Sequence, residues 1–302
     1  DISIAEDETE DEDDDDEFKY FQDDEATKAE YMQGTVKQAH CAKSKYVLNL
    51  LTKRIGVSVG IDLGTTYSLI GYIKNGKPTL IPDERGQYLL PSVVAVLPNA
   101  TILVGEDAKA QQTLNPLNTY SNVKRIIGRT VKSAQLADER LCQLNVPRNR
   151  KNCVLSCPAL NRTFTPEEIS AEVLKTLLRR AEHYLKTPVK RAVITVPAYF
   201  GEQQTAATKR AAKLAGLKKV QLLLEPAAAA LAYGHELKAE QVVLVVDLGG
   251  GTFDVAAMEV GNGLVQTIAT SGDSRLGGSD FNQCIVDWIA KQVLKNGGDD
   301  PR

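Results

Sequence analysis

With 302 residues, 43% apolar and 25% charged, the chain can bury a sizeable core and has the make-up of a globular protein of about two domains. No run of 18 or more apolar residues exists, which excludes a membrane-spanning helix. Five cysteines (41, 142, 153, 157 and 284) and three histidines (40, 183 and 235) show no metal-ligand spacing. Reduced thiols are expected, and the chemistry falls to carboxylates, hydroxyls, lysines and backbone amides.

Charge is uneven. Residues 1–25 hold fifteen acids against Lys19, a net of −14, which leaves about +11 on the rest. This segment reads as a self-repelling disordered tail, with a docking tail or a shield over basic surface as the sharper reading. The chain opens on Asp1 with no leader in view, so a trimmed or processed start is expected. Residues 26–55 are rich in Ala, Lys, Gln and Leu without Pro and are expected to be a helical extension.

From Val57 the pattern turns to strands. A nearly continuous apolar run over 57–61 suggests a strand covered on both faces. Strand 67–73 follows, then the hairpin turn Asn75-Gly76 and strand 79–81. Residues 92–165 are less regular and read as a subdomain inserted into a first lobe, 56–240. It holds short strands at 93–97 and 102–104, a short helix at 121–127 and mixed pieces over 132–163.

Thr165-Pro166-Glu167-Glu168 is a helix start with a capping box. Ile169, Val173, Leu177, Ala181 and Leu185 form its apolar stripe, widened by Leu174 and Leu178. Strand 192–196, helix 202–215 closed by Gly216, strand 220–224 and helix 226–233 alternate, which implies an α/β layer structure. A partial second lobe, 241–302, starts with strands 242–246, 252–260 and 264–270. It continues in a helix with Phe281, Ile285, Trp288 and Ile289 on one face. The last residues, 297–302, read as a loop rather than the end of a finished fold.

Two stretches are alike: Val59-Gly60-Ile61-Asp62-Leu63-Gly64-Thr65-Thr66-Tyr67-Ser68, and Val245-Val246-Asp247-Leu248-Gly249-Gly250-Gly251-Thr252-Phe253-Asp254. Each is an apolar strand ending in Asp, a tight Gly/Thr turn and a second strand, and the two lie 185 residues apart. Successive N–H groups in such a turn form an anion-binding concavity. Gly64, Gly249, Gly250 and Gly251 would let the backbone approach phosphates and adopt φ > 0. Thr65, Thr66 and Thr252 would donate hydroxyls. Asp62, Asp247 and Asp254 would hold the waters of Mg²⁺, which takes few direct protein ligands. Neither turn is a Rossmann or Walker sequence. Glu225, at the end of a strand, occupies the usual ligand crevice of an α/β sheet, with a dipole-favoured helix-start acid as the other reading. Lys124 reads on its own as a surface lysine.

Residues 57–300 resemble the ATPase domain of the 70-kilodalton heat-shock chaperone family, DnaK-type. Beside the two Asp-Leu-Gly stretches, the resemblance rests on Val123-Lys124-Arg125, Ala192 to Phe200, Ala215-Gly216-Leu217, Glu225-Pro226, Ser271-Gly272-Asp273 and Leu276-Gly277-Gly278-Ser279-Asp280-Phe281. It implies the actin-like α/β fold: two ribonuclease-H-like lobes around a nucleotide cleft, the second lobe incomplete here. It implies binding of ATP or ADP with Mg²⁺, with Asp62, Glu225, Asp247 and Asp254 around the metal and the attacking water. Thr65, Thr66, Tyr67, Thr252, Gly277 and Gly278 would lie at the nucleotide, and Lys124 would reach the γ-phosphate. J-domain co-chaperones and nucleotide-exchange factors are the implied partners. Pro197 matches a proline used in interdomain signalling.

Departures accompany the match. The family's adenosine-gripping motif, linker and peptide-binding domain are not among these residues. Thr205 stands where the family has Arg, and Ala227 where it has Thr. A non-catalytic, chaperone-derived subunit of a larger complex is therefore the alternative to an ATPase, with a sugar kinase or filament protein of the actin-like superfamily as a third reading. The tone of Cys157-Pro158-Ala159-Leu160 and of the 165–185 helix resembles bacterial, plastid and mitochondrial members more than cytosolic ones. With the non-Met start and the acidic tail, a processed plastid protein is expected, with mitochondrial matrix, cytosol and endoplasmic reticulum as alternatives.

Overall fold

A computed structural model describes residues 57–130, 153–234, 240–261 and 264–302. The expectations for 1–25, for 26–55 and for the 132–152 part of 132–163 lie outside the described residues. All described residues fall within one compact unit, 53–302.

The first motif builds a meander of β1 (Val57–Leu63), β2 (Tyr67–Lys74) and β3 (Lys77–Leu80), each pair antiparallel. Asn75 and Gly76 turn it with φ of 52° and 78°, the left-handed pair that matches strand twist. Short strands follow: β4 (Leu90–Pro91), β5 (Val94–Val96), β6 (Ile102–Val104), β7 (Thr119–Tyr120), β8 (Leu155–Cys157) and β9 (Arg162–Phe164). Helices α1 (Glu106–Lys109) and α2 (Gln111–Leu114) lie among them. Strand β10 (Val189–Val196) then joins β1 in parallel, and β11 (Lys219–Leu224) joins β10 in parallel. The main sheet runs β11-β10-β1-β2-β3, with β4 paired to β2.

Strand β1 is not covered on both faces as its composition suggests. Val59, Ile61 and Leu63 are buried, whereas Ser58 and Gly60 on the other face are exposed. That open face also carries Asp62, so the strand's one carboxylate points away from the core.

Helix α3 (Pro166–Leu185) covers the buried face. Thr165 Oγ1 accepts the Glu168 N–H at 3.2 Å, and Glu168 Oε2 accepts the Thr165 N–H at 2.6 Å, which completes the capping box. The predicted stripe is buried from Ile169 to Ala181, and Leu185 packs at its end. Helix α4 (Glu202–Leu214) packs on α3 and ends at Gly216 with φ 95°. One core joins this layer to the small strands, since Val94, Tyr120, Leu155 and Phe164 cluster with Ile61 and Leu174. The helix expected over 121–127 is a single 3₁₀ turn, Val123–Arg125, because Asn122 in front of it is left-handed.

Helix α5 (Glu225–Gly234) starts where β11 stops. It covers one face of an antiparallel sheet of β12 (Gln241–Leu248), β13 (Phe253–Gly261) and β14 (Leu264–Asp273). The core there is small: Ala230, Ala256, Met258 and Val260. On the opposite face Val242, Leu244 and Val246 are 60–68% exposed. The last helix, α6 (Gly278–Lys295), has its predicted stripe of Phe281, Ile285, Trp288 and Ile289 46–62% exposed, with only Ala290 buried.

Leu174 is fully buried where α3 meets the main sheet. Leu174→Ala should lower unfolding free energy by roughly 2–5 kcal/mol, read by chemical denaturation. The same substitution at exposed Leu294 should change it by less than about 0.5 kcal/mol.

Candidate functional site

The first turn hangs between β1 and β2 and is pinned from one side. Ser92 donates its hydroxyl to the Gly64 carbonyl at 2.8 Å, donates its N–H to the Thr66 carbonyl at 2.9 Å, and lies 2.9 Å from the Ser68 hydroxyl. Thr195, on neighbouring β10, donates to Asp62 Oδ1 at 2.9 Å and orients that carboxylate. Neither Ser92 nor Thr195 stood out in the sequence; the parallel pairing of β1 with β10 is what brings Thr195 to Asp62.

The second turn links β12 to β13. Asp247 and Asp254 are directly opposed in this ladder, so their side chains share one face and repel. The Gly249 N–H closes the turn on the Thr252 carbonyl at 3.0 Å. The start of α6 supports it from behind: Gly278 N–H donates to the Gly249 carbonyl at 2.9 Å and Ser279 N–H to the Gly250 carbonyl at 3.0 Å. Gly277 N–H donates to Asp280 at 2.8 Å. The amides of Gly278 and Ser279 are thus engaged in holding the turn, and that of Gly277 in capping α6.

The two turns touch. A Cβ on Gly250 would lie 2.0 Å from Thr66 Oγ1, and one on Gly251 would lie 2.8 Å from Thr65 Oγ1. None of Gly64, Gly249, Gly250 and Gly251 has a positive φ, contrary to the expectation for these turns. Close approach, rather than left-handed geometry, excludes a side chain at Gly250 and Gly251, against the facing turn, and at Gly64, against the Tyr67 carbonyl of its own turn; Gly249 has room for a Cβ. Among the described residues, none offers an acceptor to the N–H groups of Thr65, Thr66, Gly250 or Gly251. Thr65, Thr66, Tyr67, Gly250 and Gly278 border a cleft of about 440 Å³ whose far wall carries Lys109 and Asn122.

Lys124 is not a surface residue. Its Nζ lies 2.5 Å from Glu225 Oε1, with the two side chains only 10% and 15% exposed. Burial pushes the Glu225 carboxyl up and the Lys124 ammonium pulls it down, while Asp62 and Asp247 add upward pushes. Asp247 is likewise raised, by burial first and then by Asp254 and Asp62. Asp254 is 1% exposed, and burial raises it too. The Thr252 hydroxyl and the N–H groups of Ala198 and Tyr199 draw it down from nearby, but none makes a hydrogen bond, and both carboxylate oxygens are left without a partner.

Four carboxylates that feel one another, among them the orphaned Asp254, and one lysine form a donor set suited to a hydrated divalent cation. Among the described residues, no three acidic, His or Cys side chains converge as direct ligands. Cys153 and Cys157 are buried and Cys284 is exposed, Cys157 and Cys284 as free thiols.

Arg125 is a further residue that sequence reasoning quoted without a role. It is 7% exposed and reaches from the 3₁₀ turn to the second sheet. Its guanidinium donates to the Gly251 carbonyl at 3.3 and 3.4 Å and to the Arg275 carbonyl at 3.1 Å, and it pairs with Asp280.

Comparison with known proteins matches residues 58–302 to the family described as Hsp70 protein. The chain is 47% identical over 242 residues to heat shock 70 kDa protein 6, chloroplastic, of Arabidopsis thaliana, covering 80% of this chain and 34% of that protein. Over 258 residues it is 44% identical to the stromal 70 kDa heat shock-related protein, chloroplastic, of Pisum sativum, covering 85% and 36%. With chaperone protein DnaK 1 of Synechococcus sp. the identity is 49% over 250 residues, covering 82% and 33%. The chain therefore spans about a third of the length of the curated relatives it matches.

Raised carboxyls favour the protonated form of the folded protein. Their contribution to stability is present below the ordinary carboxylate range near pH 4 and is lost as pH rises through their raised values. Asp254→Asn should stabilise the cation-free protein at pH 7 by roughly 1 kcal/mol. That gain should fade as pH falls towards about 4, as a melting series across this range would read.

Proposed function

The chain belongs to the Hsp70 protein family, and on that premise we propose that it is an ATP-binding and ATP-hydrolysing module of a molecular chaperone. Its fold is the actin-like α/β fold of that family. The observation that carries the activity is the meeting of two glycine turns beside Asp62, the raised carboxyls of Glu225, Asp247 and Asp254, and the Lys124–Glu225 pair.

The N–H groups of Thr65, Thr66, Gly250 and Gly251 would receive phosphate oxygens, with the Thr65, Thr66 and Thr252 hydroxyls adding donors. Asp62, Asp247 and Asp254 would hold Mg²⁺ through water. When bound, Mg²⁺ neutralises charge on the phosphate oxygens. Thr195 would keep Asp62 aimed at the metal's waters. Glu225, with its carboxyl raised, is placed to orient a water for in-line attack on the γ-phosphate and to accept a proton from it. Lys124 would exchange its contact with Glu225 for a γ-phosphate oxygen, freeing Glu225 for the water. Catalysis would thus be positioning and charge neutralisation.

J-domain proteins and nucleotide-exchange factors are the proposed partners, and a plastid the proposed location, supported by relatives whose names carry "chloroplastic". Among the described residues no helix is long and apolar enough to cross a membrane. A structural subunit of a larger assembly is the second reading, favoured by the bare apolar face of the β12 strand and of α6.

Titration calorimetry with ATP and Mg²⁺ should show binding, and single-turnover assays slow hydrolysis. Asp247→Asn should lower hydrolysis by roughly 10²-fold or more while folding is kept. Absence of binding by folded protein at millimolar ATP would reject the ATPase and favour the structural reading.

A further inference from the structure

The phosphates that the proposed function requires meet a physical obstacle. Gly250 and Gly251 are packed against the side chains of Thr66 and Thr65 so closely that no Cβ would fit. The cleft of about 440 Å³ bordered by Thr65, Thr66, Tyr67 and Gly250 is not lined by Asp62, Lys124, Glu225 or Asp247. From that cleft, the touching turns stand between a phosphate chain and the carboxylates.

What keeps them together is visible. Among the described residues, the β12–β14 sheet has only Ala256, Met258 and Val260 buried in its core, beside Ala230 of α5, and the turn at its tip is not fixed by them. Arg125, one residue after Lys124, spans from the first lobe to three separate points around that tip. These are the Gly251 carbonyl inside the turn, the Arg275 carbonyl after β14, and the Asp280 carboxylate in the first turn of α6. Asp280 in turn accepts the Gly277 N–H, and the next two amides hold the Gly249 and Gly250 carbonyls. The Arg125 side chain also fills the space behind Gly251, its Cγ lying 3.1 Å from where a Cβ would stand. The guanidinium is buried, so its charge-assisted bonds are little screened by water or salt.

We propose that Arg125 is a latch that holds the second turn closed on the first, and that its release from Asp280 and the Gly251 carbonyl is the step that admits phosphates to the carboxylates. This rests on the nucleotide-binding reading above. It makes Arg125 a positioning residue: it acts through the turn and sets how fast nucleotide enters and leaves.

The test uses the whole 302-residue chain with Arg125→Gln, Arg125→Lys, Asp280→Asn and the Arg125→Gln/Asp280→Asn double variant. A fluorescent ADP with Mg²⁺ is mixed by stopped flow, and amide hydrogen exchange is followed over 249–252 without nucleotide. Loss of the buried charged contact should speed both entry and release by roughly tenfold or more. Arg125→Lys should lie between Arg125→Gln and the parent chain. The double variant should be no faster than Arg125→Gln, which already removes the pairing with Asp280. Exchange over 249–252 should rise in each variant while core amides of α3 keep their protection. That pattern would not follow from general loss of stability. Should Arg125→Gln fail to fold, Asp280→Asn carries the same readings. Unchanged nucleotide rates in folded variants, or unchanged exchange over 249–252, would overturn the latch. If the parent chain takes up no ADP at all, the nucleotide reading fails, and the exchange measurement alone then decides whether the latch exists.

Discussion

Everything at the centre of this protein depends on how closely two backbone turns approach. Thr65 and Thr66 present hydroxyls to Gly250 and Gly251 at a separation that leaves no room for a Cβ. The approach collects four carboxylates whose charges oppose one another, with Asp247 and Asp254 directly across a strand pair. Such a cluster is costly in a buried place unless it is protonated, paired or offered a cation. Lys124 supplies part of the compensation, through its contact with Glu225 and its charge near Asp254, while both Asp254 oxygens lack a hydrogen-bond partner. A buried carboxylate with unfilled acceptors beside free turn amides is a poor arrangement for stability alone, and a good one for holding a cation next to an anion.

Legibility in the sequence followed the range of the forces involved. The capping box at Thr165, the α3 stripe and the Asn75-Gly76 turn are local, and each is where its residues place it. The paired Asp-Leu-Gly stretches were readable because the same strand–turn–strand chemistry occurs twice. None of their glycines needs φ > 0: steric contact with the opposite turn decides at Gly250 and Gly251, and the Tyr67 carbonyl of the same turn at Gly64. Lys124 looked like a surface residue because its partner stands 101 positions later, and only the family resemblance gave it a role. Thr195, Ser92 and Arg125 are long-range in the same way. Nothing near them in sequence reveals that they meet Asp62, Gly64 and Gly251.

The covered strand face shows a different failure. Val57 to Ile61 is apolar enough to suggest burial on both sides, yet Ser58, Gly60 and Asp62 alternate with the buried Val59, Ile61 and Leu63. Small residues on the open face let β1 carry Asp62 to the turn without bulk beside it. The strand is built for two environments, and composition averages over them.

The two sheets are unequal in how they are held. The first rests on a continuous core that runs from Val59 and Ile70 through the stripe of α3 to Ala211. The second has a core of four residues under α5 and a bare face of Val242, Leu244 and Val246. Burial of apolar area therefore fixes Asp62, Thr65 and Thr66 firmly, while the site of Asp247 and Gly250 leans on polar contacts that cross between the sheets. Polar contacts of this kind are directional and are lost in one step when a partner leaves, whereas a core loosens gradually. One rigid turn facing one turn held by a few breakable bonds is the mechanical arrangement a nucleotide cleft needs if it is to open and close without unfolding.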